Sequence, residues 1–341
     1  MFVVWCLTIA VLIGMLLIWA VTWVWYVPLI ARAFGEPPWL HARSFPSVEG
    51  AEACEFATAD GLVLRGSYLP ATTRPRQGVI LFCHELGGDR WGAVGYAGEL
   101  RNRGFDLFTF DFRNQGVSDR MPNYQPMPWL THYELADVQA AINYLCSRPD
   151  ADSRGIGVFG VSRGGNAALC VAAGDTRVRA VVTDGAFPID GMLRHYIRRF
   201  MKIWVPIPLV KNYLPDVCLI SYYKCAKVLL GFRRGCRFVN VEQACRRVRQ
   251  PVFMIHGERD MYIPLKVAEA LRSSLSGRSK FWIVPGVKHN GAMAGAEDEY
   301  YHRIWRFFQR HLAHGTLRSA TVVTTQWQPG PPREPTPTAL G

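Results

Sequence analysis

The sequence predicts an α/β fold with a mostly parallel sheet covered by helices on both faces. Short, continuous apolar runs such as Gly78–Cys83 (GVILFC) and Phe105–Phe110 alternate with segments of helical period. At the centre of the chain, the stretch GIGVFGVSRGG (Gly155–Gly165) reads as a buried strand, a sharp turn and a helix of small residues that opens at Asn166. That strand, turn and helix are the context in which a G-x-S-x-G pattern, here Gly160, Ser162 and Gly164, exposes a serine at the N-terminus of a helix.

The elements follow in chain order. From Met1 to Ala31 there is no charged side chain, more than the ~20 residues needed to cross the hydrocarbon layer. Trp23, Trp25 and Tyr26 cluster at its far end as an interfacial aromatic belt does. A cleaved signal peptide is the rival reading, with Ala31-Arg32-Ala33 as its A-x-A site. The apolar run is, however, well beyond the ~7–15 residues of a signal h-region, and no basic segment precedes it. The expectation is a single-pass N-terminal anchor over residues 1–31. Arg32 and Arg43 follow the span, which places the C-terminal domain on the cytoplasmic side by the positive-inside rule.

Residues 32–50 are a Pro-containing linker. The domain then spans 51–313. Ala53–Thr58 and Leu62–Leu69 flank Asp60-Gly61 as a hairpin that supplies antiparallel edge strands. After the GVILFC strand come a helix over Gly92–Arg103, the Phe105–Phe110 strand and a helix over Tyr133–Arg148, with Leu135, Val138, Ala141, Ile142 and Leu145 on one face. The serine strand is followed by strand Val178–Thr183, strand Val252–His256, helix Leu265–Leu275, strand Lys280–Val284 and helix Glu297–Leu312. From Phe187 to Gln250 the alternation breaks. This insertion holds 13 Lys or Arg against three acids, much of the excess behind a whole-chain net charge of +12. Arg194, Arg198 and Lys202 recur every four residues beside an apolar stripe of Leu193, Ile197, Phe200 and Trp204. Such a helix suits an anionic membrane surface, and equally suits packing on the domain below. Residues 314–341, rich in Thr, Pro, Gly and Gln, read as a disordered tail.

Composition narrows the function classes. The nine cysteines include no C-x-x-C pair, so a zinc or redox-dithiol role is not indicated. Reduced thiols are favoured, although Cys218, Cys225, Cys236 and Cys245 lie close enough in sequence to pair in an oxidising compartment. No metal cluster, Walker motif, dinucleotide fingerprint or nucleic-acid module appears, so neither cofactor nor metal nor nucleic acid is expected. The partners expected are a small acyl substrate and the membrane. Oligomeric state is not readable from the chain.

A serine becomes a nucleophile only beside a base that an acid orients. After a G-x-S-x-G elbow in an α/β sheet the chain order is Ser, acid, His. Downstream of Ser162, a strand opens into His256-Gly257-Glu258-Arg259-Asp260, which makes Asp260 the candidate acid with Glu258 as rival. The last strand runs into Pro285-Gly286-Val287-Lys288-His289, which makes His289 the candidate base. Two backbone N–H groups would form the oxyanion hole: that of Arg163 and one from the loop after GVILFC, by position Leu86, with Glu85 as second choice.

Over roughly residues 50–313 the chain resembles the α/β-hydrolase fold superfamily. The resemblance lies in the His84 loop, the Asp111-Phe112-Arg113-Asn114-Gln115-Gly116 turn, the Gly160–Gly164 elbow, the Gly257–Asp260 turn and the His289 loop. It implies a serine hydrolase with a cap inserted at 187–250. The chain departs from the pattern in two places: the common His-Gly pair is His84-Glu85, and Arg163 follows the nucleophile. Asp111 and Asp184 also end strands and are read as turn caps. The function expected is hydrolysis of a carboxylic ester or thioester, with a lipid-like acyl group favoured by the aromatic, apolar cap. A peptidase or acyltransferase of the same fold, or a tethered binding protein without catalysis, are the alternatives.

Overall fold

A computed structural model of the chain describes residues 1–36, 42–205, 208 and 216–313. The elements are α1 (Phe2–Gly35), β1 (Glu52–Ala57), β2 (Val63–Leu69), β3 (Gly78–Cys83), α2 (Gly92–Ala97), β4 (Phe105–Phe110), α3 (His132–Ser147), β5 (Ile156–Val161), α4 (Arg163–Ala172), β6 (Val178–Asp184), α5 (Ile189–Trp204), α6 (Asp216–Arg233), α7 (Val241–Cys245), β7 (Val252–Gly257), α8 (Leu265–Ser273), β8 (Ser279–Val284), α9 (Ala292–Gly295) and α10 (Glu297–Leu312). One sheet of eight strands runs in the order β1-β2-β4-β3-β5-β6-β7-β8. β1 pairs antiparallel with β2, and β2 with β4; the other pairings are parallel. Every residue of β3, β4, β5 and β7 is buried, as expected of parallel strands covered on both faces.

Alternation along the strands divides the core in two. Leu81, Phe108 and Val158 face a cluster that takes in α3, α4, the cap and the end of α1. Ile80, Phe82 and Phe159 face the other way, onto Tyr300, Ile304 and Phe308 of α10. The strand boundaries lie within a residue or two of those read from the sequence, and α10 spans Glu297–Leu312 as expected.

Two local expectations are corrected. The helix expected over Gly92–Arg103 is α2 followed by a separate 3-10 turn over Gly98–Arg103. Two contacts from distant parts of the chain account for the break: the Tyr301 hydroxyl donates to the Gly95 carbonyl, and the Phe45 ring lies where a Cβ on Gly95 would stand. Together with the weak helix propensity of Gly95 and Gly98, this interrupts the regular ladder. The second correction concerns α1, which continues through Arg32 to Gly35 and so takes in the start of the expected 32–50 linker. Residues 37–41 of that linker, 206–207 and 209–215 of the cap insertion and the 314–341 tail lie outside the described residues.

α1 is the one helix among the described residues long and apolar enough to cross a membrane. Its first 26 residues are almost wholly exposed, whereas Val27, Ala31 and Phe34 are buried in the domain core. The Trp129 indole donates to the Phe34 carbonyl at 2.7 Å, and Thr22 Oγ1 meets Tyr222 OH of α6 at 2.7 Å. In the cap, Leu193 and Ile197 of α5 are buried while Phe200 is 44% exposed, so the stripe read from the sequence is only partly covered. All nine cysteines are free thiols.

Candidate active site

The elbow is built by the close approach of β3, β5 and α4. A Cβ on Gly160 would collide with the Gly164 carbonyl, and one on Gly164 with the Cys83 carbonyl, so both positions demand glycine. Between them Ser162 takes φ 52 and ψ −117, a strained conformation for a non-glycine residue. The strain is held by main-chain bonds. Ser162 N donates to Asp184 O at 2.7 Å, and Asn166 N donates to Ser162 O at 3.2 Å.

That conformation aims the hydroxyl at the loop after β8. Ser162 Oγ lies 3.1 Å from His289 Nε2, and His289 Nδ1 lies 2.6 Å from Asp260 Oδ2. The other Asp260 oxygen accepts from the backbone of Tyr262 (2.9 Å) and Ile263 (2.8 Å), which fixes the carboxylate plane. The Asp260 side chain is 1% exposed and that of His289 5%. The rival acid Glu258 points elsewhere and accepts from Gly286 N at 2.8 Å, a bond that pins the turn after β8. Serine, imidazole and carboxylate thus meet at the C-terminal rim of β5, β7 and β8. The arrangement can pass a proton from hydroxyl to imidazole while the carboxylate holds the ring.

The candidate oxyanion donors sit on the same rim. Arg163 is the first residue of α4, so its N–H is one of the helix's orphan donors. Leu86 lies in the loop after β3, which the β4 turn clamps: Gln115 Oε1 accepts from Gly87 N at 3.0 Å, and His84 Nε2 accepts from Phe112 N at 3.2 Å. With Nε2 accepting, His84 Nδ1 donates to the Glu85 carbonyl at 2.7 Å. Burial pushes His84 down to about 4, which keeps the ring neutral. The Arg163 side chain is buried over the Phe112 ring and donates to Met127 O (3.1 Å) and Glu134 (3.2 Å).

Several groups at this rim were not singled out by sequence reasoning. Asn290, next to the candidate base, donates to Glu85 Oε2 at 2.5 Å, and the Tyr96 hydroxyl donates to the same oxygen at 3.2 Å. Burial raises the Glu85 carboxyl above the usual range, against the lowering effect of these bonds. The sequence signal was the Glu standing where the resemblance leads one to expect Gly. Asp111 caps its turn as expected, accepting from Arg90 N (2.6 Å) and Val117 N (3.0 Å). The turn-cap reading of Asp184 is corrected: its carboxyl lies buried behind the elbow and accepts from Tyr300 OH at 3.1 Å. There the short apolar strand end turns its side chain into the core, onto α10.

Burial pushes the Asp184 carboxyl up to about 7. The folded chain therefore holds a proton that the unfolded chain releases near its ordinary pKa of ~3.9, and stability falls as pH rises from there towards 7. Asp184→Asn is expected to flatten that part of the curve. Chemical denaturation at pH 5 and pH 7.5 checks this: the variant should lose less stability between the two than the parent, and an equal loss would refute the account.

A strand-end serine on a tight elbow, facing a histidine and a carboxylate from later loops of a mixed eight-stranded sheet, defines the α/β-hydrolase class. A family model described as the alpha/beta hydrolase fold matches residues 78–208. The chain has the fold of the α/β hydrolases. It is 26% identical over 278 residues to the Escherichia coli K12 protein YfhR, covering 79% of this chain and 81% of that one. A thiohydrolase, aneE, from Aspergillus aculeatus is 32% identical over 131 residues, 38% of this chain and 39% of its own. Among solved structures, an esterase from Pyrococcus furiosus superposes with a TM-score of 0.60 at 19% identity, covering 82% of this chain and 99% of that one. At such identity the likeness speaks for the fold.

Proposed function

We propose that this chain is a serine hydrolase, held at a membrane by α1, that cleaves a carboxylic ester or thioester through an acyl-enzyme. The observation that carries the reading is the relay from Ser162 Oγ to His289 Nε2 at 3.1 Å and from His289 Nδ1 to Asp260 Oδ2 at 2.6 Å. In this mechanism His289 takes the Ser162 proton as the oxygen attacks the acyl carbon. The backbone N–H groups of Arg163 and Leu86 receive the oxyanion, and Asp260 steadies the imidazolium. His289 then hands the proton to the leaving alcohol or thiol, and water repeats the sequence to release the acid. The thiohydrolase name of a relative supports inclusion of thioesters.

Anchoring rests on the length and apolarity of α1. Cleavage after Ala33 would remove Val27 and Ala31 from the core, which favours retention of the helix over a signal peptide. The two arginines after the span, Arg32 and Arg43, support a cytoplasmic domain. An apolar cap beside a membrane helix supports a lipid-like acyl group.

The test is covalent labelling of the detergent-solubilised full chain by a fluorophosphonate probe. The wild-type chain is expected to label at Ser162, and Ser162→Ala to abolish the label. Labelling that survives the substitution, or a wild-type chain that never labels, rejects the proposal.

A further inference from the structure

The cap's long helix shares the path of the membrane helix. Thr22 of α1 meets Tyr222 of α6, and thirteen residues further along α1 the Gly35 carbonyl accepts from Arg234, just past the end of α6, at 3.5 Å. Leu230 of α6 lies against Gly35. The two helices therefore run side by side in the same direction, and α6 residues stand level with α1 residues of nearly the same spacing. At 1.5 Å of rise per residue, Val217 lies about 8 Å beyond the Thr22–Tyr222 contact, towards the N-terminal end of α1. Its level is that of α1 residues whose side chains are wholly apolar and exposed.

The outer face of α6 is largely apolar, although nothing among the described residues covers it. Leu219, Tyr223, Ala226 and Leu230 are buried, while Val217 (70%), Val228 (72%) and Phe232 (86%) stand exposed on the opposite side. Steps of eleven and four residues put these three within about 60° of one another on a helix of 3.6 residues per turn. The end of α5 repeats the pattern, with Phe200 and Ile203 exposed among the exposed cations Arg199 and Lys202. Exposed Lys224 interrupts the apolar face of α6, and Arg233 stands exposed at the end of the helix, off that face. Exposed apolar residues flanked by Lys and Arg are the composition of helices that lie at the boundary of headgroups and acyl chains.

We propose that α6, with the last turn of α5, is immersed in the same leaflet as the C-terminal half of α1, with the Val217–Val228–Phe232 face on lipid and the cations at the headgroups. The occupant of this face is a lipid leaflet because its Val217 end continues the exposed apolar surface of α1 at matching depth, with Val228 and Phe232 nearer the headgroups. Its cations are complementary to anionic headgroups. The inference rests on the anchor reading of α1 and adds that the cap itself enters the membrane, so that a bilayer-resident acyl chain reaches the hydrolase without crossing water.

The experiment places the full-length chain in nanodiscs of phosphatidylcholine with a fifth of phosphatidylserine, carrying a trace of phosphatidylcholine with a diazirine on its acyl chain. After photolysis, labelled peptides are mapped by mass spectrometry. Label is expected on α1 residues 4–24 and on α6 residues 217–228, and none on α3. Label on α1 alone overturns the inference while leaving the anchor intact; no label on either helix overturns the anchor itself. Cross-linked dimers with an unlabelled α6 would assign the face to a second copy and also overturn it. Val217→Glu/Val228→Glu, both at exposed positions, is expected to lose the α6 label. It should cut turnover of a bilayer-embedded long-chain ester at least fivefold while leaving that of a water-soluble short ester unchanged. An equal effect on both esters, or none on either, counts against the proposal.

Discussion

His289→Ala is expected to lower kcat/KM for a short acyl ester by about 10⁶-fold, and Asp260→Asn by on the order of 10⁴-fold. The inequality follows from the geometry. His289 contacts the Ser162 hydroxyl directly and, among the described residues, is the group within reach of its proton. Asp260 touches only the far nitrogen of the ring, so its loss costs orientation and charge stabilisation rather than the proton transfer itself. The double variant should be no worse than His289→Ala, because the acid acts only through the base. Steady-state kinetics with fluorophosphonate labelling as an active-site count decide the matter. Additive losses in the double variant, or full activity in His289→Ala, would show that the relay is not the machinery.

The second large effect concerns stability. Arg113→Ala is expected to cost about 3–5 kcal/mol, the cost of leaving a buried charge without its partner. The Arg113 guanidinium is fully buried and donates to Asp137 at 2.8 and 2.6 Å and to Asp60 at 2.7 and 3.1 Å. It also stacks 4.8 Å over the Tyr133 ring. Removing it strands the Asp137 carboxylate, whose side chain is likewise without exposure. Against this, Asp60 is partly exposed and recovers water on its own. The midpoint of thermal unfolding should fall by about 10 °C. The Arg113→Ala/Asp137→Asn double variant should recover part of that loss, since the amide leaves no unpaired charge. Recovery absent from the double variant would mean that packing around Tyr133, not charge, holds the turn. Because the same turn supplies Gln115 and Phe112 to the Leu86 loop, a fall in labelling rate should accompany the fall in stability.

Much of the fold was legible because its signals are local. A buried parallel strand is a short apolar run, and β3 and β4 were read to the residue on that alone. The helix expected over Gly92–Arg103 differs from the structure because Phe45 and Tyr301, which meet it at Gly95, are distant in sequence on either side. The sequence points to a turn cap at Asp184 because a carboxylate at a strand end usually is one. Its burial depends on Tyr300, more than a hundred residues later.

The candidate site divides in the same way. Ser162, Asp260 and His289 stand out in the sequence as candidates that lie together because parallel strands all present their C-terminal loops to one rim. The glycines at 160 and 164 mark the elbow without reference to anything distant. Chain order alone left Glu258 beside Asp260, and only the tertiary structure turned one towards His289 and the other towards Gly286.

What the sequence by itself determined is the layered sheet, the elbow and the order of the groups that gather there, since each is written in spacing along a few residues. The tertiary structure alone decided that Glu85 is buried against Asn290 and that the Asp184 carboxyl is buried behind the serine against Tyr300. It alone also decided that α6 runs beside α1. The physical reason is range: hydrophobic period and turn chemistry act between neighbours, whereas the burial of a carboxyl or the docking of two helices 200 residues apart is settled by whichever surfaces the whole chain brings together.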